Sequence, residues 1–198
     1  MGRSSPPQGP LLTLEPFLEA VREGMEEAGW ELSGLQKTTS YEFEGRWAGD
    51  SSRSAYLFFH QPDIPDFASI DAFLDETTRG LKGNVALVLD GPELKKLPDP
   101  GFALAALAEL ASANLPKGYR APLSLKYRLP DLRGDPARAD SEIRFKLLLP
   151  KGAMQSGFSA VSSLAEATAR AFQGLLESPE LGPYWPDGGD EESGSLGV

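Results

Sequence analysis

Apolar and polar positions recur at two different spacings along the chain, and the switches between them mark its elements. From Leu14 to Ala28, Leu14, Phe17, Leu18, Val21 and Met25 repeat at helical spacing, while Glu19, Glu23, Glu26 and Glu27 occupy the other side. This predicts an amphipathic helix with Thr13 as N-cap, Pro16 in its first turn and Gly29 ending it. Trp30 and Leu32 open a short strand. "TTSYEFEGRW" then alternates Tyr41, Phe43 and Trp47 with Glu42, Glu44 and Arg46, a half-buried strand. "AGDSSR" reads as a turn, and "SAYLFFH", apolar on both faces, belongs inside a sheet.

In "DFASIDAFLDETTRGLKG", Phe67, Ile70, Phe73, Leu74 and Leu81 fit a second helix, with Gly83 as its C-cap. "NVALVLD" is a buried strand. Asp99-Pro100 starts the next helix, since Asp caps and Pro suits the first position. Its Ala/Leu-rich run to Leu115 is apolar round much of its circumference and is expected to be heavily buried. Two alternating runs follow: Leu123, Leu125, Tyr127 and Leu129, then Ile143, Phe145, Leu147 and Leu149, each set on one strand face. A charged link, "PDLRGDPARADS", joins them into a hairpin. Phe158, Val161, Leu164, Ala165, Thr168, Phe172 and Leu175 mark a closing amphipathic helix.

The expected order is therefore α-β-β-β-α-β-α-β-β-α. It implies an α+β fold, a two-layer sandwich of mostly antiparallel sheet with helices packed on one side. The opening order α-β-β-β-α-β resembles that of type III secretion chaperone-like folds, a likeness of element order without a diagnostic motif. Residues 1–10 and 183–198 read as flexible tails, the second acidic. Residues 11–182 form one domain, divisible into two α-β-β-α halves at about 11–91 and 92–182, although no residue-level identity supports a duplication.

Composition narrows the chemistry. Of 198 residues none is cysteine and one, His60, is histidine. Disulfides, thiolate nucleophiles and Cys-ligated zinc are excluded, as is any site needing two imidazoles from one chain. No apolar run approaches the ~20 residues that cross a bilayer, and "MGRSSPPQGPLL" has no apolar core of a secretory signal, so a cytoplasmic location is expected.

Charge adds the most informative feature. Between Lys117 and Lys151 nine basic residues stand against four acids, a local +5 in a chain of net charge −10. Alternation places Lys126 and Arg128 on one face of the first hairpin strand, and Arg144 and Lys146 on the matching face of the second. With the apolar sets turned inward, all four cations emerge together. The plain account is a solvated sheet face whose charges discourage edge pairing. The functional account makes these four residues the binding site for a protein partner with an acidic segment. Nucleic acid is the alternative ligand, opposed by the overall negative charge. The tail "DGGDEESG" at 187–194 supplies an acidic segment within the same chain, a competitor for that face or simply a solubilising end.

Other candidates have simpler readings. His60 would suit a general base but lacks a nucleophile or orienting partner nearby in sequence. "AGDSSRS" lacks the spacing of a phosphate-binding loop, and "SGFSAVSS" lacks Gly-x-Ser-x-Gly. "RGD" at 133–135 lies in a loop. Tyr41, Trp47 and Tyr56 offer a stacking platform if they face outward. An enzyme reading would need Asp50, Asp63, Asp66 or Asp90 to converge. No cofactor or metal is implied, nothing sets the oligomeric state, and a non-enzymatic interaction module is the leading expectation.

Overall fold

A computed structural model describes residues 14–40, 52–77, 80–90, 99–114, 124–127 and 141–184. Its elements are α1 (Leu14–Glu27), β1 (Glu31–Ser40), β2 (Ser52–His60), β3 (Ala68–Thr77), β4 (Gly80–Asp90), α2 (Pro100–Asn114), β5 (Ser124–Tyr127), β6 (Ser141–Leu148), α3 (Lys151–Gln155) and α4 (Phe158–Leu176), then a short 3-10 turn, Gly182–Tyr184. The six strands form one antiparallel sheet in the order β1-β2-β3-β4-β6-β5. The class is α+β, as the spacing predicts.

One predicted element is of the wrong type. Residues 66–83 are not a helix: they supply β3 and the start of β4, with Thr77 paired to Gly80 across a two-residue link. The observed order is α-β-β-β-β-α-β-β-α-α, so the order behind the chaperone-like resemblance is not formed. The stretch also alternates with period two. Ala68, Ile70, Ala72 and Leu74 are buried on one face, while Ser69, Asp71, Phe73 and Asp75 share the other. Pairing with β2 and β4 satisfies both edges of β3, and that tertiary gain overrides local helical preference. Gly83 is no C-cap either. It lies buried in β4, and a Cβ there would come within 2.5 Å of a Leu74 methyl and 2.7 Å of a Leu149 methyl. Space, not backbone conformation, calls for glycine at that position.

The core lies on the face built from Ala55, Leu57, Phe59, Ile70, Ala72, Leu74, Val85, Leu87, Leu89 and Phe145, against which α1 and α4 pack. In α1 the five stripe residues are all buried and the four glutamates exposed. Gly29 takes a positive φ of 85° to turn the chain into β1, a conformation that costs a residue with a side chain more. The N-terminus of α1 is tied to the sheet. Glu76 of β3 accepts from the Leu14 backbone N–H at 3.3 Å, and Arg53 of β2 hydrogen-bonds both Glu76 and Glu15. That bond to Glu76, ahead of the charges of Glu76 and Glu15, raises the Arg53 pKa further above its ordinary value. At the other end Arg170 of α4 donates to the Glu27 carbonyl at 2.9 Å, filling an acceptor the helix leaves open.

Helices α1 and α4 meet at Gly24, where hydrogen alone fits below the α4 backbone. Phe17 and Phe158 lie edge to face, with centroids 4.9 Å apart. Helix α2 begins as the sequence predicts, Asp99 Oδ1 accepting from the Phe102 N–H at 3.2 Å. It is less buried than its composition suggests. Ala103, Leu107, Leu110 and Ala111 enter the core, but Phe102 is 64% exposed. Ala-rich sequence carries little facial bias, so burial on one side alone is compatible with it.

Candidate interaction surface

Register fixes what the other face of the sheet presents. One row crosses five strands as Gln36, Tyr56, Phe73, Asn84 and Leu148. The next runs Gly34, Phe58, Asp71, Ala86 and Lys146. Tyr56 and Phe73, directly opposed, stack at 4.5 Å between centroids with a 37° tilt, and Phe58 lies parallel to Tyr56 at 6.5 Å. Phe58 also covers Gly34, its ring 3.2 Å from where a Cβ would stand. An aromatic ring shielding a strand glycine restores burial that the missing side chain forgoes.

This row is accessible. Tyr56 is 37% and Leu148 68% exposed, and Lys146 is exposed on the same face. Lys82, also exposed, stands opposite Asp75 one row further on. Tyr56, Phe73 and Leu148 thus gather large apolar side chains, two of them exposed, on one sheet face.

Asp71 and Arg144 form the polar centre of the face. Arg144 Nη2 lies 3.0 Å from Asp71 Oδ2, the two side chains being 30% and 8% exposed. The residues sit on β6 and β3, with β4 between them: Arg144 is in register with Val88, and Asp71 with Ala86. The guanidinium therefore reaches diagonally over β4. Ala86, though on the outer face, is fully buried, and a larger side chain there would stand in the path of Arg144.

The four cations singled out from the sequence receive different positions. Arg144 and Lys146 occupy the outer face of β6. Lys126 is in backbone register with Glu142. Arg128 lies outside the described residues, as do Leu123, Tyr41, Trp47, Asp50, residues 133–135, Thr13 and the tail from 185. The charge of Arg144 is engaged by Asp71, so it holds the face together more than it offers a free cation. Tyr56 does face outward.

Phe58, Phe73, Lys82 and Leu148 also belong to this surface, beyond the residues that charge alternation singles out. The signal for Phe73 and Lys82 was the period-two alternation hidden beneath a helical reading. Leu148 breaks the polar series of β6, and that break was the clue.

His60 is exposed at the end of β2. Asp63 and Asp66 are exposed in the turn before β3, and Asp90 ends β4, its N–H donating to the Phe67 carbonyl at 2.7 Å. Among the described residues no group of three or more His, Asp or Glu is placed to hold a metal ion, and no described helix is long and apolar enough to cross a membrane. No family, no curated protein and no solved structure matches the chain.

Proposed function

We propose that this chain is a non-enzymatic protein-interaction module that receives a partner segment on the outer face of its sheet. The observation that carries the reading is the presence of three large apolar side chains, Tyr56, Phe73 and Leu148, on one row of the sheet, with Asn84 between Phe73 and Leu148 and Lys146 exposed on the neighbouring row. The segment it suits places an apolar side chain on the Tyr56–Phe73 pair and an acidic residue against Lys146. Apolar burial supplies most of the affinity of such a contact, and the lysine sets orientation and approach rate.

Capture from the native source, read by mass spectrometry, tests this with Tyr56→Ser/Leu148→Glu and Lys126→Glu/Lys146→Glu beside the unmodified chain. The expected result is a partner retained by the unmodified chain and lost in both variants, whose circular dichroism is unchanged. Identical captured sets would refute the surface. Nucleic acid is distinguished by salt. Neutralising about four phosphates would give a slope of log K against log[salt] of roughly −3 to −4. With Arg144 engaged by Asp71, retention of labelled DNA or RNA at low salt is not expected.

A further inference from the structure

We propose that the chain pairs with a second copy of itself along β1, about a two-fold axis through Leu35. Strand β1 ends the sheet, and among the described residues it pairs with β2 alone. It is ten residues long and contains no proline. Such an edge is a template for another strand unless something blunts it. Among the described residues the devices present are a bulge between Leu32 and Gly34 and one lysine, Lys37. From Gly34 to Thr38 the register is regular, and Leu35 to Thr38 are exposed.

Leu35 is in register with Leu57 and so belongs to the face that the helices cover, yet it is 49% exposed. Between α1 and β1 lies a groove of ≈ 260 Å³ lined by Leu18, Leu32, Leu35 and Leu57 together with Glu15, Glu19, Arg22 and Lys37. A protruding leucine and a groove with a leucine-lined part thus lie side by side on one strand, an arrangement that can complement itself across a two-fold axis.

Geometry restricts the register. In an antiparallel pair, residues directly opposite each other share a face. An axis through Leu35 sets Leu35 opposite Leu35 and Gly34 opposite Gln36, and brings Lys37 to the bulge at Ser33. A one-residue offset would oppose residues from different faces. Centring on Gly34 or Gln36 would set Leu35 against Ser33 or Lys37 and leave both leucines in water. Only the Leu35 register lets each copy close the mouth of the other's groove, and it brings no like charges into direct opposition. The fit of groove, leucine and register to the same strand is what selects a second copy over a foreign peptide.

The chain of 198 residues has no cysteine, so a single introduced thiol reports the register directly. On the proposed axis, Leu35→Cys places two Cα atoms about 4.5–5.5 Å apart, within disulfide reach. Lys37→Cys places them four residue-rises apart along the strands, about 13 Å, beyond it. Mild oxidation should give a covalent dimer of L35C and leave K37C monomeric. Equal cross-linking at both positions, or none at 35, would overturn the proposal. In sedimentation velocity the unmodified chain should show a concentration-dependent dimer, and Leu35→Glu should weaken it at least about tenfold with unchanged circular dichroism. A monomer at the highest soluble concentration, or an unweakened L35E dimer, would overturn it too. Neither result depends on the outer-face surface, whose variants leave β1 intact.

Discussion

Replacing Gly24 by alanine adds one methyl group where α1 meets α4. The added Cβ would stand 2.1 Å from the Ser162 carbonyl oxygen, and 2.9 Å from both the Ala165 Cβ and the Glu166 backbone nitrogen. Two of these atoms belong to the α4 backbone and the third is fixed to it, so no side chain can swing aside. Relief requires the helices to separate by about 1 Å, which forfeits dispersion along the Phe17–Phe158 side of the contact. Overpacking of this kind costs about 1–3 kcal/mol, and backbone neighbours place Gly24 at the upper end. Alanine returns about 1 kcal/mol of helix propensity, leaving a net loss of roughly 1–2 kcal/mol.

Gly174 of α4 is the internal control. It is helical and exposed, and nothing lies within 4 Å of an added Cβ, so Gly174→Ala should stabilise by about 0.5–1 kcal/mol. Urea titrations monitored by circular dichroism read both, as midpoints moving in opposite directions at constant slope. A Gly24→Ala variant as stable as the unmodified chain would show that α1 and α4 do not approach as closely as described.

Three further outcomes are expected. In a double-mutant cycle, Asp71→Asn and Arg144→Gln should each destabilise and couple by about 1–3 kcal/mol, below a fully buried pair because Arg144 is partly solvated; additive effects would refute the tie across β4. Asp99→Ala should cost about 1 kcal/mol in the same titration through loss of the α2 cap, and an unshifted midpoint would mean the cap is not made. Each copy carries −10, so adding salt should tighten the β1 dimer in sedimentation experiments; weakening would reveal a charge-driven contact instead of an apolar one.

Much of this architecture was legible where one period dominates. The glutamates of α1, the double-sided apolar run of β2 and the closing helix α4 each fit a single template. Ile70, Phe73, Leu74 and Leu81 fitted two templates, and only the partners of β3, on either side of it in the sheet, decide between them. Helix α2 was recognisable by its Asp-Pro start, but its alanines concealed which side would be buried. The outer face was readable along β6 as an alternation of cations and apolar residues. Its organisation was not, because Asp71 and Arg144 are 73 residues apart and meet across a strand belonging to neither. A local window shows that two such residues exist, and only the sheet order shows that one reaches the other.

Gly83 and Asp71 together dictate how the last strand of the described sheet can be laid down. Strand β6 arrives after α2 and β5, and it wedges between β4 and β5 rather than at a rim. Two features receive it: the notch at Gly83, which admits Leu149, and the carboxylate of Asp71, which takes the guanidinium reaching over Ala86. A slip of one residue would turn Arg144 toward the helices. A slip of two would lift Leu149 from its notch and, in one direction, bring Glu142 to the place facing Asp71. The ribbon seats at a single setting, as a key with two differently cut teeth enters one lock.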